Sequence, residues 1–139
     1  MQPNSSGTAI RHERDVLLGP HQLPGRFVIP EPLRGLVLFA HGSGSSRFSE
    51  RNQYVARVLQ EAGIGTLLFD LLTETEAQDR RLVFDIPFLA ERLKQAATAV
   101  ADYPQLADVP LGYFGASTGA AAALVAVARE PERVRAVVS

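Results

Sequence analysis

The sequence contains no cysteine and no tryptophan, one methionine and only three histidines. Without cysteine there are no disulfides, no thiolate metal ligands and no cysteine nucleophile. A charge surplus is missing too: 14 Lys and Arg stand against 15 Asp and Glu, a formal net charge of -1. Such a balance offers nothing to neutralise a phosphate backbone or an anionic bilayer, so neither nucleic acid nor membrane is an expected partner. A small-molecule substrate is expected instead. Apolar runs are all shorter than the roughly 20 residues a membrane helix needs. The opening Met1 to Gly7 has neither the basic nor the apolar segment of a secretion signal, and a cytoplasmic location is the expectation.

What is present is enough for one domain: 139 residues, 46% of them hydrophobic. Residues 1–9 are polar and turn-forming and read as a flexible tail, leaving residues 10–139 as the domain. Asp15 to Leu18 and Arg26 to Pro30, separated by Gly19-Pro20, predict a leading hairpin. Gly35 to Ala40 and Gly65 to Asp70 are continuous apolar runs of strand length, the pattern of strands buried on both faces.

Between them, Ser49 can cap a helix that carries Val55, Val58, Leu59 and Ala62 at helical spacing and is ended by Gly63. The acid-rich Leu71 to Phe84 has no clear period and reads as a loop, with the Glu74 to Arg81 charges solvated. Asp85 can cap a second helix, with Pro87 tolerated in its first turn and an apolar stripe of Leu89, Leu93, Ala96, Ala97 and Val100. Val109 to Phe114 then leads into Gly115, Ser117 to Arg129 forms an alanine-rich helix stopped by Glu130-Pro131, and Val134 to Val138 begins another strand. Alternation of this kind predicts a three-layer α/β/α sandwich whose sheet is mostly parallel behind an antiparallel N-terminal hairpin.

The chemistry concentrates at Gly115-Ala116-Ser117-Thr118-Gly119. A serine hydroxyl attacks well only when it is exposed and oriented, and a sharp strand-to-helix turn provides both. The flanking glycines suit a turn too tight for side chains, so Ser117 is the candidate nucleophile. Developing negative charge on a substrate oxygen needs two N–H donors: Thr118 would supply one amide and Ser43, in the Gly/Ser loop after Ala40, the other. His41, Gly42 and Gly44 of that loop are placed as substrate-binding residues. His41 reads as a structural hydrogen-bonding residue rather than a general base. A rival reading of Gly42 to Ser46 is an anion cradle for phosphate or nucleotide, although the loop has no Walker lysine and no dinucleotide glycine pattern.

The strand and loop Leu38-Phe39-Ala40-His41-Gly42-Ser43-Gly44-Ser45-Ser46, together with Gly112 to Ala121, resembles the dienelactone hydrolase-like branch of the α/β-hydrolases over about Leu33 to Ser139. The resemblance implies a serine hydrolase, esterase-like, that cleaves an ester, lactone or thioester through an acyl-enzyme on Ser117 without metal or organic cofactor. Dienelactone hydrolase itself carries cysteine at that position, so Ser117 favours a general acyl hydrolase. In this fold the triad runs serine, acid, histidine along the chain, yet no histidine follows Ser117 and the only later acids are Glu130 and Glu132. The chain is therefore expected to be C-terminally incomplete, with an uncovered sheet edge inviting self-association. A non-catalytic hydrolase-like binding module is the alternative.

Overall fold

The computed structural model describes residues 11–129, 132 and 134–139. The expected tail, residues 1–9, and the Glu130-Pro131 helix stop lie outside them.

Strand β1 (Arg11–Leu18) turns back into β2 (Leu23–Pro30) as the expected hairpin, longer at its start than the apolar pattern alone suggested. Then follow β3 (Gly35–Ala40), α1 (Glu50–Glu61), β4 (Ile64–Phe69), a short α2 (Arg80–Val83), α3 (Ile86–Val100), β5 (Leu111–Gly115), α4 (Thr118–Arg129) and β6 (Val134–Val138). All six strands join one sheet in the order β1-β2-β4-β3-β5-β6. β1, β2 and β4 pair antiparallel, whereas β4, β3, β5 and β6 run parallel.

Strand order decides where helices and ligand crevice fall. From β3 the chain crosses through α1 to β4 on one side; from β5 it crosses through α4 to β6 on the other. Because such crossovers are right-handed, opposite directions put α1 on one face of the sheet and α3 with α4 on the opposite face. The contacts agree: α3 packs on α4, and α1 packs on β4 and β2. The loops after β3 and β5 diverge at the carboxyl ends of adjacent strands, the switch point where open α/β sheets hold ligands.

The core forms where the apolar runs predict it. Leu36, Leu38, Phe39 and Ala40 of β3 and Leu67 and Phe69 of β4 are buried, as are Leu89, Leu93, Ala96, Ala97 and Val100 of α3. Asp85 caps α3 by accepting from Phe88 N at 3.1 Å, and Ser49 caps α1 by accepting from Asn52 N at 3.2 Å.

Two features depart from what the sequence pattern shows. The sheet-facing side of α1 is Asn52, Ala56 and Gln60, while Val58 is 49% exposed and Ala62 is exposed. That face lies over buried Thr66, whose hydroxyl accepts from Gln60 Nε2 at 2.9 Å, and Arg11 donates to Gln60 Oε1 at 3.1 Å. The paired Gln60 amide can be buried at little cost, so its polarity did not keep this face in solvent, although Asn52 Oδ1 is buried without a protein partner. Second, the Leu71 to Phe84 stretch is not a plain loop: a 3₁₀ turn at Glu76–Gln78 and α2, capped by Asp79 through Arg81 N at 2.9 Å, order it. Nor are its charges all solvated, since Glu76 pairs with buried Arg92.

Candidate active site

Ser117 occupies the switch point, between the end of β5 and the start of α4, exposed and with φ of 59°. That left-handed conformation costs a non-glycine residue energy and persists only where the surroundings enforce it. Here Gly119 N donates to Ala116 O at 2.9 Å and Ala120 N to Ser117 O at 3.0 Å, while Ala116 N reaches Ala40 O on β3 at 3.3 Å. A Cβ on Gly119 would collide with the carbonyl oxygen of Ala40, and one on Gly115 with that of Gly119. The two glycines of the motif are therefore dictated by how closely α4 crosses the sheet.

The loop after β3 lies directly against the serine. A Cβ on Gly42 would stand 2.8 Å from Ser117 Cβ and 3.5 Å from its Oγ. His41, Gly42, Ser43, Gly44 and Thr118 line one cavity of about 360 Å³, which Leu71, Leu72, Val83 and Leu89 close on its apolar side. Among the described residues, the amides of Ser43 and Thr118 have no protein acceptor, whereas Gly119 and Ala120 do. Unengaged N–H groups beside an exposed hydroxyl are what stabilising an oxyanion requires.

Both ring nitrogens of buried His41 are occupied. Leu71 N donates to Nε2 at 3.0 Å, so the ring proton sits on Nδ1, which donates to Gly42 O at 2.9 Å. Burial pushes the imidazole below its ordinary pKa, opposed by the Gly42 carbonyl and the charge of Asp70. The ring is thus a neutral wall of the cavity that orients Gly42. Of the other histidines, His12 pairs with Glu31 at 2.8 Å, exposed, and His21 lies in the β1–β2 turn. Neither lines the cavity, and Glu132 is exposed.

Four residues went unnoticed as parts of this site because their partners are distant in sequence. Asp70 receives Arg47 N at 2.8 Å and Arg47 Nη1 at 2.5 Å, tying the β3 loop to the end of β4. Arg92, 3% exposed on α3, donates to Leu71 O and to both oxygens of Glu76. That guanidinium, helped by Thr73, holds the Glu76 carboxyl at about 2. An Arg on a helix shows its partner only if that partner is three or four residues away, which none of these is.

The fold and this corner together define an α/β-hydrolase-type domain. Comparison with known proteins agrees. A dienelactone hydrolase from Anabaena variabilis is 51% identical, superposes with a TM-score of 0.85 and aligns over 93% of this chain and 62% of its own. A cold-adapted esterase from an Arctic intertidal metagenomic library, 21% identical with a TM-score of 0.68 over 99% of this chain, shares the fold. Two Mycobacterium tuberculosis proteins, from strains CDC 1551 and H37Rv, are 57% identical over 127 residues, and each bears the provisional name phosphoribosyl transferase. The match takes in 91% of this chain and 29% of each of theirs, so the chain spans less than a third of the length of these curated relatives. No family model matches the sequence. The likeness to the Anabaena variabilis protein supports a dienelactone hydrolase-like α/β-hydrolase fold for the chain. Among the described residues no helix is long and apolar enough to cross a membrane.

Proposed function

We propose that the chain carries the nucleophile and oxyanion part of a serine hydrolase that opens an ester, lactone or thioester through an acyl-enzyme on Ser117. Ser117 Oγ would attack the acyl carbon, its proton passing to a base and its oxygen bonding the carbonyl carbon. The amides of Thr118 and Ser43 would hold the resulting oxyanion until the alcohol or thiol departs. The observation that carries the reading is the left-handed backbone at Ser117, held in contact with the β3 loop. No histidine follows Ser117 in the sequence. Oxyanion donors and binding alone still give about 10³-fold acceleration in serine hydrolases stripped of a triad member, whereas an unassisted serine hydroxyl is a weak nucleophile, so labelling of Ser117 is expected to be slow.

A fluorophosphonate probe tests this: Ser117 should label faster than any other serine, and Ser117→Ala should remove that label. Labelling spread evenly over Ser43, Ser45 and Ser46 would contradict it. The provisional name of the mycobacterial relatives supports a second reading, a phosphate or phosphoribosyl ligand on the Gly42 to Ser46 amides. Inorganic phosphate and ribose 5-phosphate would then raise the Tm, and the absence of a shift counts against it.

A further inference from the structure

A buried guanidinium is tolerated only where its donors are taken, and Arg92 uses them in two directions. On one side its fork grips Glu76, Nη1 to Oε1 at 2.8 Å and Nη2 to Oε2 at 2.7 Å. Glu76 is in turn locked to Thr73, accepting from Thr73 N at 2.9 Å while its own N–H donates to Thr73 Oγ1 at 3.2 Å. Phe88 supports the guanidinium from below, 4.5 Å from ring centroid to Cζ. On the other side, Nη1 donates to Leu71 O at 3.2 Å.

Leu71 is the link. Its carbonyl is held by Arg92, and its amide donates to His41 Nε2. That donation leaves the ring proton on Nδ1, directed at Gly42 O, and Gly42 lies against Ser117. We propose that Arg92 is a positioning residue for chemistry at Ser117, fixing the Gly42 to Ser46 loop through Leu71 and His41. The proposal rests on the nucleophile reading above. Releasing Leu71 would free its peptide to rotate and deprive Nε2 of its donor. The imidazole could then change tautomer, and Gly42, with the loop that follows it, would lose its fixed place against the serine.

Ring ¹⁵N spectra of the full chain test the relay without any substitution. A single Nδ1–H tautomer of His41 at neutral pH is expected, and an Nε2–H or mixed population overturns it. In Arg92→Met, His41 should become a tautomer mixture and fluorophosphonate labelling of Ser117 should slow about tenfold, less than the roughly hundredfold cost of a full 1 Å displacement because the loop is loosened and not pushed away. A variant that melts earlier but keeps the wild-type tautomer and labelling rate would show Arg92 to be structural only. Glu76→Gln, which loosens the fork without stranding a carboxylate, is read in the same way if Arg92→Met fails to fold. Absence of labelling in the unmodified chain would sink the nucleophile reading, while the tautomer response to Arg92→Met would still decide whether Arg92 sets the loop.

Discussion

Two concavities of this molecule differ in how their polar groups are satisfied. The larger, about 750 Å³, lies over β1, β2 and β4 beside α1; the smaller, about 360 Å³, lies at the carboxyl ends of β3 and β4 beside Ser117. In the larger, Arg26 is bound by Asp15 and Glu13, Arg11 by Gln60, and Gln60 by Thr66. Arg47 touches both concavities and is bound by Asp70. The smaller presents the opposite arrangement: amides of Ser43 and Thr118 without a protein acceptor, and strained backbone at Ser117. Size therefore does not mark the site. Strained backbone at Ser117 beside unengaged amides singles out the smaller as the candidate.

The contrast can be broken most forcefully at Gly119. A Cβ there meets carbonyl oxygens of Ala40 and His41, so Gly119→Ala should cost about 3 kcal/mol or more, near the upper end of overpacking penalties. Chemical denaturation would read this, and an unchanged midpoint would show that α4 does not need its close crossing. Gly42→Ala comes next. Its Cβ would push the loop off Ser117, and labelling of Ser117 should slow about a hundredfold for a displacement near 1 Å, with a smaller loss of stability.

Acid sensitivity is a milder effect. Glu76 has its folded pKa depressed from 4.5 to about 2, so its contribution is present above 4.5 and lost as pH falls toward 2. The Tm should drop across that window, and Glu76→Gln should flatten the drop; parallel acid limbs would contradict the pairing. His41, whose folded pKa also lies below its unfolded value of 6.5, adds a loss in the same direction once pH falls below 6.5. Smallest of all is Arg26→Ala in the larger groove. Its partners are exposed, so Tm and labelling should both stay unchanged. A labelling defect there would erase the distinction between the two concavities.

The fold was legible because its signals are local. Continuous apolar runs marked β3 and β4, Ser49 and Asp85 marked helix starts, and Gly63, with φ of 85°, marked the end of α1. The helical spacing of Val55, Val58, Leu59 and Ala62 marked the helix but not its inner face, because a helix turns whichever face its neighbours can satisfy. Here Thr66 and Arg11 accommodate Gln60. At the site, the motif around Ser117 and the Gly/Ser loop could be read from composition and spacing. What holds them together could not: Arg47 with Asp70, and Arg92 with Leu71 and Glu76, are separated by 16 to 23 positions and meet only through the sheet.

The corner where β5 meets α4 should make Ser117 chemically unlike the other described serines. Peptide-resolved mass spectrometry after brief fluorophosphonate exposure measures this directly. One adduct is expected, on Ser117, absent from Ser117→Ala and slowed in Gly42→Ala. Labelling that ignores Ser117, or that continues undiminished in Ser117→Ala, would contradict it.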